Sequence, residues 1–249
     1  MFPKNAKEII TIRIDDIRSG KIPVSLFSFG RTNQSVSEET CIQIAEECRD
    51  LKAVATRGEL GIKIAILVLL HSPGDIQQMK RNFGKKVADL TPEYRDRLTK
   101  KINEHLLGTY QRIRLWNQQG TFGTMKEPVT PLQRSYWDMV AGQCIATGDS
   151  NPRIRFLNYL LAAFCMFVQK EPGHPVGTPF PGGDTVQQID GIYYCPVRDK
   201  TGDVDAALCP YCPALQTPEI GYLKPPVDGS GHRKQEFIDN CYRYHNFNG

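Results

Sequence analysis

The 249-residue sequence lacks the features that would assign it at once to a membrane or secreted class. No apolar run approaches the roughly 20 residues that cross a bilayer. The most apolar stretches, 62–70 and 156–168, are short and contain Lys63 and Asn158. Residues 1–8 have no apolar core and no small-residue cleavage site, so no signal peptide is predicted. We therefore expect a soluble, cytoplasmic protein without a membrane partner.

A strong charge imbalance is also lacking. The formal net charge is +4, and lysine and arginine are scattered through the chain instead of forming blocks. This weak basic balance permits nucleic acid as a partner but does not argue for it. The sequence has no P-loop, no dinucleotide-binding fingerprint, no zincin motif and no Ser/His/Asp order, so no familiar enzyme class is predicted.

Helical periodicity is present through the first two thirds of the chain. Apolar side chains recur three and four residues apart, which is typical of amphipathic helices. A helix that starts at Thr91 is expected to end before Gly108, with 109–116 as a continuation. Residues 7–18 are consistent with a helix or in part a strand, and 235–244 with a closing helix. The other predicted helices cover residues 37–51, 59–71, 75–87, 133–147 and 153–170.

The character of the sequence changes at Glu171, where glycine, proline and short turns replace the helical pattern. Residues 192–194 predict a strand that pairs with 185–189 across Asp190-Gly191, a hairpin-turn dipeptide. The fold class is therefore mainly α: a helical, bundle-like domain at 1–170. An irregular, Cys-containing module with a short β-hairpin follows at 171–249 and packs on it as one structural unit.

Most of the eight cysteines are explained by packing. Cys41, Cys48 and Cys144 lie on apolar helical stripes, where a free cysteine behaves as a small hydrophobe. Cys165 and Cys241 lie on similar stripes. In a reducing compartment, free thiols or metal ligands are better interpretations than a disulfide framework.

Cys195, Cys209 and Cys212 lie instead in the irregular region, and proline follows each of them. Proline fixes φ and removes an amide donor, so it ends local secondary structure beside each thiol. The C-x-x-C pair can reach one metal, and Cys195 can supply a third ligand. We predict a metal site with these three ligands and with Cys165 or His174 as the fourth. Further candidates for the fourth position are Cys241 and His232.

The spacing allows either an iron–sulfur cluster, such as [4Fe–4S], or Zn²⁺. Cys-Pro steps are frequent in iron–sulfur proteins, and Pro213 occupies a position where zinc knuckles usually have a small residue, so we favour the cluster. The tetrapeptide Cys209-Pro-Tyr-Cys212 is identical to the glutaredoxin active site. A thioredoxin-like fold is nevertheless not favoured, because that fold places most of its sheet after this motif.

Three segments together resemble the signature of a known family: His174-Pro-Val-Gly-Thr-Pro-Phe-Pro-Gly-Gly183, Tyr193-Tyr-Cys-Pro-Val-Arg-Asp-Lys200 and Cys209-Pro-Tyr-Cys-Pro-Ala214. The chain is similar there to an uncharacterised archaeal family found mainly in methanogens. The resemblance implies an anaerobic archaeal cytoplasm, in which iron–sulfur proteins are common. It brings no known activity and no established catalytic residues.

The leading hypothesis is a cytoplasmic metal-binding protein with an iron–sulfur cluster. It would act in electron transfer or in the maturation of a methanogenic enzyme, with another protein as its partner. One alternative is a zinc-stapled module that binds protein or RNA. The other is an enzyme that uses an open coordination position on the metal.

Overall fold

A computed structural model describes residues 34–145, 151–180, 183–199 and 208–218. Within these ranges the chain is mainly helical and ends in a small sheet, which confirms the predicted fold class. No described helix is both long and apolar enough to cross a membrane. The predicted segments 7–18 and 235–244, and the candidate ligands His232 and Cys241, lie outside the described residues.

Six α-helices form the described helical part. They are α1 Gln34–Lys52, α2 Arg57–Leu69, α3 Pro73–Lys86, α4 Pro92–Gln119, α5 Pro131–Ile145 and α6 Pro152–Ala163. A short 3-10 helix, Thr121–Thr124, follows α4, and a π-helical turn, Phe164–Gln169, extends α6. This turn ends at Lys170, whose left-handed backbone (φ 62°) leads the chain away from the helix axis.

Side-chain caps explain where two of these helices begin. The Thr56 hydroxyl accepts the N–H of Glu59, and the Glu59 carboxylate accepts the N–H of Thr56 in return. Ser72 and Asp75 form the same reciprocal pair at the start of α3. Each pair satisfies amides that have no partner within the first turn of a helix.

Helix α4 runs unbroken through Gly108, although the sequence predicted an end there and a separate continuation. Leu106, Thr109 and Ile113 are buried on one side of α4, and this packing outweighs the weak helical propensity of glycine. The helix ends at Gly120, which has the left-handed backbone (φ 67°) that glycine adopts without a steric penalty.

The core of the helical part is centred on aromatic side chains. Tyr136 is fully buried, and its hydroxyl donates a hydrogen bond to the Tyr159 carbonyl at 2.8 Å. Its ring meets Trp137, Phe167 and Tyr211 edge to face at centroid distances of 5.0, 5.0 and 5.1 Å. Tyr211 belongs to the cysteine-containing module, so contacts cross the boundary predicted between residues 170 and 171. That division into two parts stays a prediction.

A three-stranded sheet positions the cysteines. Strands β1 Gln187–Ile189 and β2 Ile192–Cys195 form the predicted antiparallel hairpin, and β3 Leu215–Gln216 pairs with β2 in parallel. Asp190 and Gly191 at the turn both have positive φ, 50° and 80°, as a tight hairpin requires. Cys195 pairs with Gln216 in this sheet, and so the turn before β3 lies next to the end of β2.

Candidate metal centre

Three segments that are separate in the sequence line one cavity. The turn after β2 contributes Cys195, the turn before β3 contributes Cys209 and Cys212, and the loop after the π-helical turn contributes His174. Arg198 also lines this cavity. The structure therefore brings together the three cysteines predicted as ligands and one of the two side chains predicted for the fourth position.

The remaining walls of the cavity are mostly apolar. They come from Met166, Pro172, Gly173, Val186 and Leu208. The empty volume is about 360 Å³ with the open solvent at its mouth included. Most of that volume is open solvent, so the enclosed part is small and suits an ion or a compact inorganic group better than an organic substrate.

Backbone and side-chain hydrogen bonds hold the two cysteine turns together. The N–H of Cys212 donates to the Cys209 carbonyl at 3.0 Å, and the N–H of Thr217 donates to the Cys195 carbonyl at 3.0 Å. Gln216 connects β3 to the turn after β2 through its side chain. Its amide nitrogen donates to the Pro196 carbonyl, and its amide oxygen accepts the N–H of Asp199, both at 2.9 Å.

Helix α4 holds the loop that carries His174. Tyr94 donates its hydroxyl hydrogen to the Pro179 carbonyl at 3.0 Å, and Arg112 pairs with Glu171 at 3.4 Å. Within the loop, the His174 and Phe180 rings meet edge to face at 6.0 Å. These contacts anchor the loop on both sides of the imidazole, so His174 forms part of an ordered wall.

Backbone amides point at two of the thiols. Val197 donates its N–H to Cys195, and Ala214 and Gly173 donate theirs to Cys212. In both turns the donor from the same turn lies two residues after the cysteine, because the intervening proline has no N–H. Such hydrogen bonds favour the thiolate over the thiol, and they are what a metal-bound sulfur requires around it.

Burial acts in the opposite direction on these thiols. It raises the pKa of Cys195 to about 12, the Val197 amide offsets part of this rise, and the neighbouring Cys209 and Cys212 add to it. Burial also raises the pKa of Cys212, and the charge of Arg198 lowers it again in part. Without a cation the thiols therefore stay protonated at neutral pH, whereas a bound metal deprotonates its thiol ligands.

The four donors line one cavity. Among the described residues, no group of three or more His, Cys, Asp or Glu side chains could hold a metal ion as placed. The chemistry of the donors, three soft thiols and an imidazole, fits zinc or iron–sulfur centres.

Cys165, the other side chain predicted for the fourth position, lies elsewhere. Its sulfur lies 3.4 Å from the Thr109 hydroxyl and 3.5 Å from Nε2 of His105, between α4 and the π-helical turn. The packing interpretation of the remaining cysteines is confirmed for Cys48 and Cys144, which are 2% and 1% exposed. Cys41 is half-buried, and its thiol donates to the Cys144 carbonyl at 3.7 Å.

The sequence pattern did not single out two charged or titratable residues. Arg198 lines the cavity. His105 lies beside Cys165, and burial lowers its pKa to about 4. The signal for His105 was available, because it lies three residues after the buried Ile102 and four before the buried Thr109. No local pattern indicated the position of Arg198.

Comparison with known proteins assigns a family but no activity. The model of the family described as uncharacterized protein conserved in archaea (DUF2115) matches residues 56–217, which includes most of the helical part. A UPF0305 protein of Methanothermobacter thermautotrophicus is 51% identical over 59 residues, which are 24% of this chain and 38% of that protein. One from Methanopyrus kandleri is 40% identical over 70 residues, 28% of this chain and 49% of that protein.

A longer match is weaker in identity. A UPF0305 protein of Methanocaldococcus jannaschii is 24% identical over 156 residues, which are 59% of this chain and 87% of that protein. The match thus spans less than half the length of the first two relatives and most of the third. No solved structure matches the chain.

Proposed function

This chain belongs to the DUF2115 family of uncharacterized archaeal proteins, and we propose that its cysteine cavity holds an iron–sulfur cluster. The family description names no activity, so the proposal rests on the site. The observation that carries it is the convergence of Cys195, Cys209 and Cys212 on one cavity. Packing alone does not require three thiols to meet in this way, and the charges of Cys209 and Cys212 raise the pKa of Cys195.

The identity of the donors supports a cluster. Three of the four donors that line the cavity are thiols. Iron–sulfur clusters are held mainly by cysteine thiolates. Amide hydrogen bonds to sulfur and apolar walls are both features through which proteins set the potential of such clusters. His174 is the proposed fourth ligand.

The surroundings of the cavity support electron transfer, or the maturation of another enzyme of anaerobic metabolism, as the function. Cys209 and Cys212 are half-buried, and the adjacent Pro210 and Pro213 are exposed. A cofactor held there would lie close to the protein surface, where a partner protein can approach it. We place this activity in the cytoplasm.

A zinc site is the second candidate, and the donor set is the observation that favours it. Three cysteines and one histidine form one of the usual ligand sets of structural zinc. In that case the metal would staple the module to the helical part, and the protein would act by binding another protein or RNA. Binding of Zn²⁺, like binding of a cluster, requires the donors to rearrange, because no group of described residues could hold a metal ion as placed.

Anaerobic purification followed by iron, sulfide and zinc analysis tests the proposal. We expect a brown protein with a broad visible absorption band and with iron and sulfide in equal amounts. Cys195→Ser and Cys209→Ser should lose the band and the iron. Cys165→Ala and Cys48→Ala are matched controls outside the cavity and should keep both.

The outcomes separate the candidates. A colourless protein with one zinc would overturn the iron–sulfur proposal in favour of the zinc staple. Protein with neither metal would overturn both. Loss of iron in His174→Ala would support His174 as the fourth ligand, whereas unchanged iron content and spectrum would remove it from the ligand set.

A further inference from the structure

Arg198 connects the two cysteine turns. Its backbone N–H donates to the Cys195 carbonyl at 3.4 Å, which closes the turn after β2. Its guanidinium donates through Nη2 to the Pro210 carbonyl at 3.4 Å, in the turn that carries Cys209 and Cys212. The side chain is 23% exposed, so most of it lies within the protein.

Arg198 is also the only side chain with a permanent charge among the described residues that line the cavity. It forms an ion pair with Asp199, whose carboxylate lies 3.9 Å from Nη1 and is 69% exposed. Water around an exposed carboxylate weakens its compensation of the guanidinium charge. Toward the apolar cavity, the charge of Arg198 acts through a medium of lower dielectric constant.

We propose that Arg198 is a positioning residue of the metal centre and that its charge raises the reduction potential of the bound cluster. The proposal rests on the function proposed above. Reduction adds an electron to the cluster, and a nearby positive charge stabilises the more negative, reduced form. The hydrogen bond from Arg198 to the Pro210 carbonyl holds the turn with Cys209 and Cys212 close to Cys195.

Gln216 provides a comparison without charge. It lies in β3, next to the turn that carries Cys209 and Cys212, and its neutral side chain bonds Pro196 and Asp199 in the turn after β2 at 2.9 Å. If Arg198 acted only by holding the turns together, loss of Gln216 would have the same consequences as loss of Arg198. If its charge also acts on the cluster, only the loss of Arg198 changes the potential.

The experiment compares four variants of the anaerobically prepared full chain. Arg198→Met removes the charge and the donor, Arg198→Lys keeps the charge, and Gln216→Met removes the neutral connection. Arg114→Met changes an exposed arginine on α4 and serves as the control. The readouts are the midpoint potential from a redox titration of the visible band, and the half-time of iron release to a chelator.

We expect Arg198→Met to lower the midpoint potential. At the potential where half of the wild-type protein is reduced, the ratio of reduced to oxidised Arg198→Met protein should be roughly tenfold lower. Arg198→Lys and Gln216→Met should keep a midpoint near that of the wild type. All three should release iron faster, by about fivefold, because each loses a hydrogen bond between the turns. Arg114→Met should change neither quantity.

Several results would overturn the inference. An Arg198→Met protein with full iron content and a wild-type midpoint would refute the role of the charge and leave the cluster proposal intact. Equal shifts of the midpoint in Arg198→Met and Gln216→Met would reduce Arg198 to a purely structural role. If Arg198→Met binds no cluster, Arg198→Lys, which keeps the charge, decides the question. A midpoint potential below that of the wild type in Arg198→Lys would contradict the inference, and an unchanged midpoint potential would support it. Wild-type protein without iron would refute the proposed function and this inference together.

Discussion

Two buried cysteines show at the residue scale that burial alone does not identify a metal ligand. Burial raises the pKa of both Cys165 and Cys195 to about 12. Cys165 has Thr109 and His105 beside its sulfur, in the contact between two helical segments. Cys195 instead has two further thiols and a backbone N–H donor around it. The neighbours of a thiol, more than its exposure, determine what it can bind.

His105 makes a prediction about pH at the same scale. Burial lowers its pKa to about 4, the charges of Arg112 and Lys101 add to this effect, and in the unfolded chain the pKa is about 6.5. Between these values the unfolded chain binds a proton that the folded protein does not, so stability falls as pH falls. The loss from this residue should reach about 3 kcal/mol at pH 4.

Chemical denaturation of wild type and His105→Gln at pH 7, 6, 5 and 4.5 measures this effect. The difference in unfolding free energy between the two proteins should shift in favour of the variant as pH is lowered through this window. A difference that is the same at every pH would show that His105 is protonated in the folded protein or accessible to solvent.

Helix α4 illustrates, at the scale of an element, how packing overrides local propensity. Gly108 lies in an exposed position in the middle of the helix, and no atom lies within 4 Å of where a Cβ would be. Gly120 has equally open surroundings but a left-handed backbone, with φ of 67°. The two glycines therefore differ in backbone conformation and not in the space around them.

Opposite effects of alanine are expected at these two positions. Gly108→Ala should stabilise the protein by about 0.5–1 kcal/mol, because alanine lowers the entropy of the unfolded chain. Gly120→Ala should destabilise it by about 1–2 kcal/mol, because a Cβ strains the left-handed conformation. Thermal or chemical denaturation of the two variants checks the signs. Destabilisation by Gly108→Ala would indicate that α4 is bent or frayed at that residue.

The π-helical turn after α6 has a structural consequence for the site. Cys165 and Met166 are adjacent within it, yet Cys165 contacts His105 on α4 and Met166 lines the cavity. The turn then ends at Lys170, and the chain proceeds to Gly173 and His174 in the cavity wall. Cys165 is thereby directed into the packing against α4, as its apolar stripe predicts, and away from the cavity.

At the scale of the whole molecule, the buried apolar side chains of the described residues form two clusters of unequal size. The larger one spans the helices and includes Leu208 from the module. The smaller cluster has five buried members: Phe180, Val186, Cys195, Val197 and Ala214. Such a small cluster stabilises its segment weakly, so a bound metal is expected to supply much of the stability there.

If the cavity holds the proposed metal centre, its removal should loosen one part of the protein. We expect amide hydrogen exchange to accelerate in 183–199 and 208–218 after the metal is removed by a chelator. Exchange in α5 and α6 should remain slow, because these helices pack in the larger cluster. Cys209→Ser should show the pattern of the metal-free protein without any chelator. Equal protection of 183–199 with and without metal would contradict a stabilising role of the metal.

Much of the local structure was determined by the sequence itself. Helical periodicity, the hairpin at Asp190-Gly191 and the burial of Cys48 and Cys144 all depend on residues close in the chain. The same holds for the grouping of Cys195, Cys209 and Cys212, because their turns lie at the two ends of one short connection.

Only the tertiary structure decided the rest of the site. It placed His174 at the cavity and Cys165 in the helical core, buried His105 and directed Arg198 toward the cysteines. Each of these positions depends on how α4, the π-helical turn and the loop at 171–180 approach one another. The relative positions of these segments are determined by packing between residues that are distant in the chain. The pattern of neighbouring residues therefore does not predict them.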